Sequence, residues 1–349
     1  MAHSPTIAPP RDLRSSIQKR ADAAADTRPR ITCSFYRYVP IGDPEGFKMR
    51  LLDTGQTFGC LGRIYVAHEG INAQMNVPTE HWAAFDAWVQ NQPELVGIAY
   101  KIAVEEGELP SFFKLTIKVK DKIVADGLDD TSFDVTDTGV YLTAAEMNEY
   151  VTDPEAIIVD MRNHYESEIG HFQNALTPDV VTFRDELKNT PELLRVHQNK
   201  KIALYCTGGI RCEKASAWLK HNGYSNVRHL KGGIIDYARQ VQEQGLENKF
   251  QGKNFVFDER MSERIGEDII STCHLCKSEK SDTHYHCQNQ ICCTLFIGCE
   301  KCVEAKKGYC SFGCRQVDKL PASIKKTIAR HYNLKFRKKQ PFQKTRPQT

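Results

Sequence analysis

Apolar and polar positions alternate, or recur with helical spacing, across residues 31–125. This pattern predicts a unit in which two helices interrupt four short strands, with apolar runs marking the strands. The predicted strands are Ile31–Tyr36, Arg63–Ala67, Ala73–Val77 and Phe113–Val119, and the predicted helices are Pro44–Thr57 and Thr79–Val89. The order βαββαβ is typical of a ferredoxin-like (acylphosphatase-like) α+β domain.

The last of these predicted strands has two different faces. Leu115, Ile117 and Val119 alternate with polar residues, so we expect one face to join the core and the other to present lysines. A lysine-lined face can bind phosphates, which makes three residues candidates for RNA contact, and an ordinary solvated face explains the pattern equally well. The three lysines are Lys114, Lys118 and Lys120.

A second pattern, with strands and helices in alternation, predicts a parallel sheet covered on both faces over residues 141–245. Strands are predicted at Ala156–Asp160, Lys201–Tyr205 and Asn226–Leu230, and Thr143 is predicted to cap a helix. The stretch 126–140 is rich in Asp, Ser, Thr and Gly, which indicates a linker.

The strand Lys201–Tyr205 is followed by a cysteine, a tight loop, an arginine and a helical pattern. A thiol at a helix N-terminus beside an arginine ionises easily, and the loop N–H groups can hold an anion. We therefore predict Cys206 and Arg211 as catalytic residues, although a cysteine at a strand end is often a small core residue. The loop between them consists of Thr207, Gly208, Gly209 and Ile210. Cys212 is either a resolving thiol or a packing residue.

Asp160 and Arg162 follow the neighbouring predicted strand. The carboxyl ends of parallel strands meet at one edge of the sheet, so both residues belong near Cys206. They are candidates to orient the loop through a charge-assisted pair, and a structural role is favoured over a catalytic one.

Composition narrows the class of protein. The 349 residues are 40% hydrophobic and 26% charged with a net charge of +3, which is typical of a soluble, multidomain protein. No apolar run is long enough to predict a membrane span, and residues 1–30 lack the apolar region of a secretory signal, so we expect a disordered extension there. The absence of such a signal favours a reducing, cytoplasmic location.

Nine of the thirteen cysteines lie between Cys273 and Cys314, in a segment that a connector over 246–270 joins to the central domain. Eight of them form four closely spaced pairs, which fit two structural zinc ions in a module over 271–317. The pairs are Cys273 and Cys276, Cys287 and Cys292, Cys299 and Cys302, and Cys310 and Cys314. Joining the first pair with the third, and the second with the fourth, would give a cross-braced module. Spacing leaves open both this connectivity and the replacement of a thiolate by a histidine, and unligated or redox-active cysteines are the alternative.

The end of the chain, 318–349, is strongly basic. Its positive residues are interleaved with Tyr332, Phe336 and Phe342, a combination that favours nucleic acid, although a solvated tail is the simpler alternative. The predicted RNA contacts here are Arg337, Lys338 and Lys339.

The central segment resembles the rhodanese-like domain. The resemblance rests on Asp160-Met161-Arg162, on Glu168–Ala175, on the loop Cys206–Arg211 and on His229–Gly233. The loop is Cys-x4-Arg, whereas related phosphatases use Cys-x5-Arg for a larger phosphate. The shorter loop favours a persulfide sulfur.

A wider resemblance covers residues 31–315 and identifies the chain as similar to the bacterial rhodanese-like tRNA uridine hydroxylases. It is carried by Gly62–Tyr65, Glu69–Asn72, Lys114-Leu115, Cys206–Ala215 and the cysteine-rich end. It implies hydroxylation of the wobble uridine of tRNA to 5-hydroxyuridine, with molecular oxygen as co-substrate, and it matches Cys206 to the family's active cysteine. By its own chemistry, a thiol of low pKa in this loop can act as a nucleophile or as a persulfide carrier.

The chain has no GxGxxG fingerprint for flavin or nicotinamide, so the source of the oxidant stays open. Two alternatives remain at this point: a sulfurtransferase, and a non-catalytic RNA-binding scaffold.

Overall fold

A computed structural model describes residues 15–104, 110–128, 132–289, 291–331 and 340–341 of the chain. The described residues form a mixed α/β protein with an N-terminal sheet domain, a central parallel-sheet domain and a C-terminal cysteine-rich module. None of the helices in these ranges combines the length and the hydropathy that crossing a membrane requires.

The N-terminal domain is a five-stranded sheet with two helices on one face. Asp43 starts the first of these helices by accepting a hydrogen bond from the Gly46 N–H, with Pro44 at the first helical position. Phe35, Phe47 and Ile64 lie in the core between sheet and helices. The elements are α1 (Ser16–Ala25), β1 (Arg30–Tyr38), α2 (Pro44–Thr57), β2 (Leu61–Ala67), β3 (Gly70–Pro78), α3 (Trp82–Gln90), β4 (Lys101–Ile102) and β5 (Leu115–Val119).

Three details differ from the sequence prediction. The strand order is β4-β1-β3-β2-β5, so the short β4 completes the ferredoxin-like sheet, and β5 is an additional strand parallel to β2. The expected disordered extension over 1–30 is wrong for Ser16–Ala25, which form α1, capped by the Ser15 side chain. The predicted helix from Thr79 begins as a short 3₁₀ turn, and α3 starts at Trp82.

The sheet face away from α2 and α3 is polar. Strand register aligns Ser34, Gln74 and Arg63 in one row across β1, β3 and β2, and aligns Tyr36, Asn72 and Tyr65 in the next. Since successive residues of a strand point to opposite faces, the apolar residues between these positions enter the core. This polar face lies toward the central domain.

The central domain is a four-stranded parallel sheet in the order β6-β10-β9-β7, as the alternation of strands and helices predicts. Thr143 caps α4 in a capping box with Glu146, as expected. The elements are β6 (Val140–Leu142), α4 (Ala144–Thr152), β7 (Ala156–Asp160), α5 (His164–Ser167), β8 (Gly170–Phe172), α6 (Phe183–Leu194), β9 (Lys201–Tyr205), α7 (Ile210–His221), β10 (Val227–Leu230) and α8 (Gly233–Gln244).

The stretch interpreted as a connector carries two strands, β11 (Phe250–Phe255) and β12 (Ser262–Arg264), and β11 pairs with β8 of the central domain. The stretch interpreted as a linker has no helix or strand among its described residues 126–128 and 132–139. Asp126 at its start is buried against Lys214, whereas most of its described residues over 132–138 are exposed or half-buried.

The cysteine-rich module has a three-stranded sheet and short helices, together with a longer helix that contains Lys325, Lys326 and Arg330 of the basic end. Its elements are β13 (His284–His286), β14 (Thr294–Ile297), α9 (Glu300–Ala305), α10 (Phe312–Asp318), α11 (Ala322–His331) and β15 (Gln340–Pro341). Arg337, Lys338 and Lys339 lie outside the described residues, and their role in RNA binding stays a prediction.

Candidate active site

Cys206 lies directly after β9, at the floor of a loop that turns into α7. The Gly209 N–H donates to the Cys206 Sγ at 3.1 Å, and Gly209 has a φ of 95°, a left-handed conformation that glycine adopts without strain. Helix α8 approaches so closely that a Cβ on Gly233 would lie 2.5 Å from the Cys206 carbonyl oxygen. The loop is therefore held on both sides, by its own main chain and by the start of α8.

The Cys206 thiol is poised to ionise. Burial alone would raise its pKa, but a hydrogen bond from the Cys212 side chain, the positive charge of Arg211 and main-chain N–H groups together lower the pKa to about 6. Cys212 is itself buried, and its own pKa is raised by burial and by the neighbouring Cys206 sulfur. Cys212 therefore serves as a hydrogen-bond donor to the Cys206 thiolate, beyond the packing role that its position suggests.

This lowered pKa gives a measurable pH dependence. We expect the thiolate absorbance at 240 nm, taken as the difference between the wild type and Cys206→Ser, to rise with a midpoint near pH 6. An unperturbed thiol would give a midpoint near pH 8.5. The sign follows from ionisation, since the absorbing thiolate forms above the pKa. A midpoint above pH 8 would contradict the predicted stabilisation of the thiolate.

Arg211 is held by a residue that the sequence analysis missed. Its guanidinium donates to both carboxylate oxygens of Glu166 on α5, at 2.8 and 2.9 Å, and to the Thr207 hydroxyl at 3.2 Å. Glu166 is fully buried, so this bidentate ion pair fixes the orientation of the Arg211 guanidinium beneath the loop. The available signal was an acidic side chain in the turn after β7, at the same sheet edge as Cys206.

Asp160 and Arg162 pair with each other, at 2.6 to 2.8 Å, and both side chains are fully buried. Asp160 accepts from the Tyr205 hydroxyl at 2.8 Å, and Arg162 donates to the Gly170 carbonyl at 2.6 Å. Their hydrogen bonds and ion pair tie β7, β8 and β9 together and do not reach the loop 206–211. Asp160 and Arg162 do form a charge-assisted pair at this edge, but Glu166 holds the loop arginine, and an orienting role of the pair toward the loop stays a prediction.

A cavity of ≈ 410 Å³ separates the Cys206 loop from the polar face of the N-terminal sheet. We call it the active-site cavity. Its loop wall contains Cys206, Thr207, Gly208, Ile210 and Arg211, and its sheet wall contains Ser34, Tyr36, Arg63, Tyr65, Asn72, Gln74 and Lys101. Burial lowers the pKa of Lys101 to about 8, and its ammonium lies 4.4 Å from the centre of the Tyr36 ring. This wall was not predicted from the sequence, although the polar residues that alternate along β1, β2 and β3 were a visible signal for it.

The two walls are locked together by buried charges. Lys214 on α7, with 1% of its side chain exposed, contacts Glu69 of the β2–β3 turn at 2.9 Å and Asp126 at 3.1 Å. Glu213, next to it, accepts hydrogen bonds from Tyr36 at 3.1 Å and from Tyr141 at 2.7 Å. The helix that begins at the Cys206 loop is therefore anchored on the N-terminal domain.

A second cavity of ≈ 620 Å³ continues from the first, because Arg63, Tyr65 and Phe257 line both. Lys114 and Lys118 lie along it, as do His286 and Cys293 of the cysteine-rich module. We call it the lysine groove. Lys120 is exposed but is not among its lining residues. The alternation predicted for β5 is confirmed, since Leu115 and Ile117 pack on the core.

The cysteine-rich module gathers its thiols in two groups of four. Within each group the Sγ atoms lie within 4.8 Å of one another, and the groups join the first pair with the third and the second pair with the fourth. The groups are Cys273, Cys276, Cys299 and Cys302, and Cys287, Cys292, Cys310 and Cys314. Four thiolates in this arrangement can hold a metal ion and are compatible with zinc.

Three family descriptions match the chain in order. Residues 30–123 match the UPF0176 acylphosphatase like domain, residues 143–240 the rhodanese-like domain, and residues 251–315 the rhodanase C-terminal family. A tRNA uridine(34) hydroxylase of Enterobacter sp. (strain 638) is 50% identical over 298 residues, 85% of each chain. The protein of the same name from Leptospira interrogans is 50% identical over 299 residues, 86% of this chain and 81% of its own.

This chain belongs to the tRNA uridine(34) hydroxylase family. The resemblance stated from the sequence is thus confirmed, together with the three-part fold. In this member of the tRNA uridine(34) hydroxylases, the rhodanese-like domain carries Cys206 and the acylphosphatase-like domain supplies the opposite wall of the cavity.

Proposed function

We propose that this protein hydroxylates C5 of uridine 34, the wobble uridine of tRNA, inside the active-site cavity. The observation that carries the proposal is the position of Cys206, a thiol of lowered pKa that faces a polar sheet across a cavity of ≈ 410 Å³. That volume lies in the range of ligand pockets, and relatives at 50% identity carry the name tRNA uridine(34) hydroxylase.

The lysine groove supports tRNA as the substrate. It leads from the active-site cavity along Lys114 and Lys118, whose ammonium groups suit the phosphates on either side of the target nucleotide. Tyr65 and Phe257, at the junction of the two cavities, offer aromatic surface for neighbouring bases.

Cys206 acts in this proposal as the nucleophile. Its thiolate adds to C6 of uracil and forms a C–S bond, which moves the electron pair of the double bond toward C5. C5 then attacks one oxygen of a hydroperoxide, the O–O bond breaks, and the second oxygen leaves as water or an alcohol. Loss of the C5 proton restores the double bond and expels the thiolate. Uridine and hydroperoxide thus give 5-hydroxyuridine and water or an alcohol, and molecular oxygen as the original source stays a prediction.

Arg211 and the loop N–H groups support this role. The guanidinium and the Gly209 N–H stabilise the thiolate both before it adds and when it is expelled. Glu166 fixes the orientation of Arg211 and is a positioning residue.

The two cysteine groups belong to the same proposal as structural zinc sites. All-thiolate, four-ligand sites are typical of structural zinc, and they leave no open position for a substrate. Zinc bound there would hold the module whose residues His286 and Cys293 line the lysine groove.

The proposal is tested by mass spectrometry of tRNA nucleosides from a bacterial strain that lacks its own uridine 34 hydroxylase. Expression of this chain should restore 5-hydroxyuridine. Appearance of a thiolated nucleoside that the strain does not otherwise contain would instead assign sulfur transfer, and no change in any nucleoside would leave only RNA binding.

Sulfur transfer is the second candidate because of one observation. The Gly209 N–H and the Arg211 charge, which stabilise the Cys206 thiolate, would also stabilise the terminal sulfur of a persulfide. The polar sheet wall and the lysine groove favour a nucleotide in the cavity, and so hydroxylation remains the first candidate. The cytoplasmic location predicted from the sequence fits either one and stays a prediction.

A further inference from the structure

The sheet wall of the active-site cavity presents two side-chain amides, Asn72 and Gln74, on the central strand β3. Both point to the polar face because they are two residues apart. Their amides are linked, since the Gln74 Nε2 donates to the Asn72 Oδ1 at 2.5 Å. Neither residue is used by the chemistry assigned to Cys206.

The orientation of this amide pair is fixed by a main-chain carbonyl. The Asn72 Nδ2 donates to the carbonyl oxygen of Ile123 at 3.2 Å. A carbonyl can only accept, so the nitrogen of Asn72 faces Ile123 and its oxygen faces Gln74. The same logic then places the nitrogen of Gln74 toward Asn72, which leaves the Gln74 Oε1 as an acceptor with no donor among the described residues.

Ile123 is itself held in place. Its N–H donates to the Glu69 Oε1 at 2.7 Å, and the other oxygen of Glu69 contacts the buried Lys214 at 2.9 Å. The chain of contacts thus runs from α7, which begins at the Cys206 loop, through Glu69 and Ile123 to the amide pair. The segment Glu69-Gly70-Ile71-Asn72 therefore contributes two members to this series of contacts, Glu69 at its start and Asn72 at its end.

We propose that Gln74 reads the N3 edge of the uracil base and that Asn72 positions it, so that the cavity accepts uridine and rejects cytidine. Uracil presents an N3–H donor beside carbonyl oxygens, which matches the Gln74 Oε1 and the second hydrogen on its Nε2. Cytosine presents an N3 acceptor beside an amino donor, the reverse pattern. The amide would have to flip to bind cytosine, and Asn72 prevents the flip.

The placement agrees with the attack at C6. N3 lies across the pyrimidine ring from C6, and Gln74 and Cys206 belong to opposite walls of the same cavity. A base held at N3 by the sheet thus brings C6 close to the wall that carries the thiol, where the thiolate can add to C6 from one face of the ring. This inference rests on the proposed function for the identity of the substrate.

The test measures binding of two anticodon stem–loops that differ only in carrying uridine or cytidine at position 34, by fluorescence anisotropy with the full chain. We expect the wild type to prefer uridine by about 10-fold or more. Gln74→Met should weaken uridine binding and reduce the preference to within about 3-fold. Asn72→Ala should also reduce the preference for uridine, but by strengthening cytidine binding, because the side-chain amide of Gln74 becomes free to flip.

Gln92→Met is the matched control, since Gln92 lies beyond the end of α3 and outside the residues that line the active-site cavity. It should keep the wild-type preference, and thermal melting of each variant checks folding. An unchanged preference in Gln74→Met, or equal binding of both stem–loops by the wild type, overturns the inference. A uridine preference that depends on Gln74, without restored 5-hydroxyuridine in cells, would instead contradict the proposed function alone.

Discussion

Replacing Cys206 with serine should abolish 5-hydroxyuridine at position 34, with a fall in rate of at least about 10³-fold. Serine keeps the size of the side chain, but its hydroxyl does not ionise near neutral pH and cannot replace a thiolate whose pKa is about 6. The readout is 5-hydroxyuridine in tRNA from a strain lacking its own enzyme, with variant and wild type expressed at equal levels.

Cys60→Ala is the matched control for this experiment. Cys60 is also buried, but burial raises the pKa of its thiol to about 12, and it lies in the core of the N-terminal domain. This variant should keep activity. Normal 5-hydroxyuridine with Cys206→Ser would contradict any covalent role of the thiol.

A stem–loop with 5-fluorouridine at position 34 separates the two roles considered for Cys206. Fluorine replaces the C5 proton whose loss expels the thiolate, so addition to C6 should end in a covalent adduct that mass spectrometry locates on Cys206. A persulfide carrier would not form this carbon–sulfur bond to the base.

Disrupting one cysteine group should remove one zinc ion and unfold part of the C-terminal module. Cys287→Ser and Cys299→Ser each break a different group, so each should lower the zinc content from two ions per chain to one. Structural zinc contributes on the order of 10 kcal/mol to folding, and both variants should therefore melt at clearly lower temperature. Metal analysis by mass spectrometry and a thermal melt measure the two effects.

Cys293→Ser provides the comparison, because Cys293 belongs to neither group although it follows Cys292 directly. It should retain two ions. Full zinc content in Cys287→Ser or Cys299→Ser would show that the group in question is not a metal site.

The sequence predicted the parallel sheet, the Cys206 loop and the four cysteine pairs because each depends on local pattern. Strand and helix periodicity fixes the elements, and Cys206 follows its strand directly. Which cysteine pairs share a group was only one of several possible connectivities in the sequence, because only the fold brings Cys273 close to Cys299.

The parts of the site that were not predicted from the sequence depend on contacts between segments that are distant along the chain. Glu166 reaches Arg211 across 45 positions, and Lys214 reaches Glu69 across 145, so no local spacing indicates either pair. The polar wall containing Gln74 resembles a solvated sheet face until the second domain covers it. Strand β4 was missed for a different reason. A strand of two residues is too short to show the alternation of apolar and polar positions, although its pairing with β1 completes the sheet.

The buried contacts of Lys214 also limit which uridines can react. Because Lys214 is fixed to Glu69 and Asp126, the two domains cannot separate without exposing three charges that depend on one another. The active-site cavity, ≈ 410 Å³ in volume, suits a single base and not a double helix, so we expect the target base to leave its strand to reach Cys206. A uridine in a paired stem would first have to be unpaired and unstacked, which costs free energy, so we expect unpaired loop positions to react in preference to paired ones.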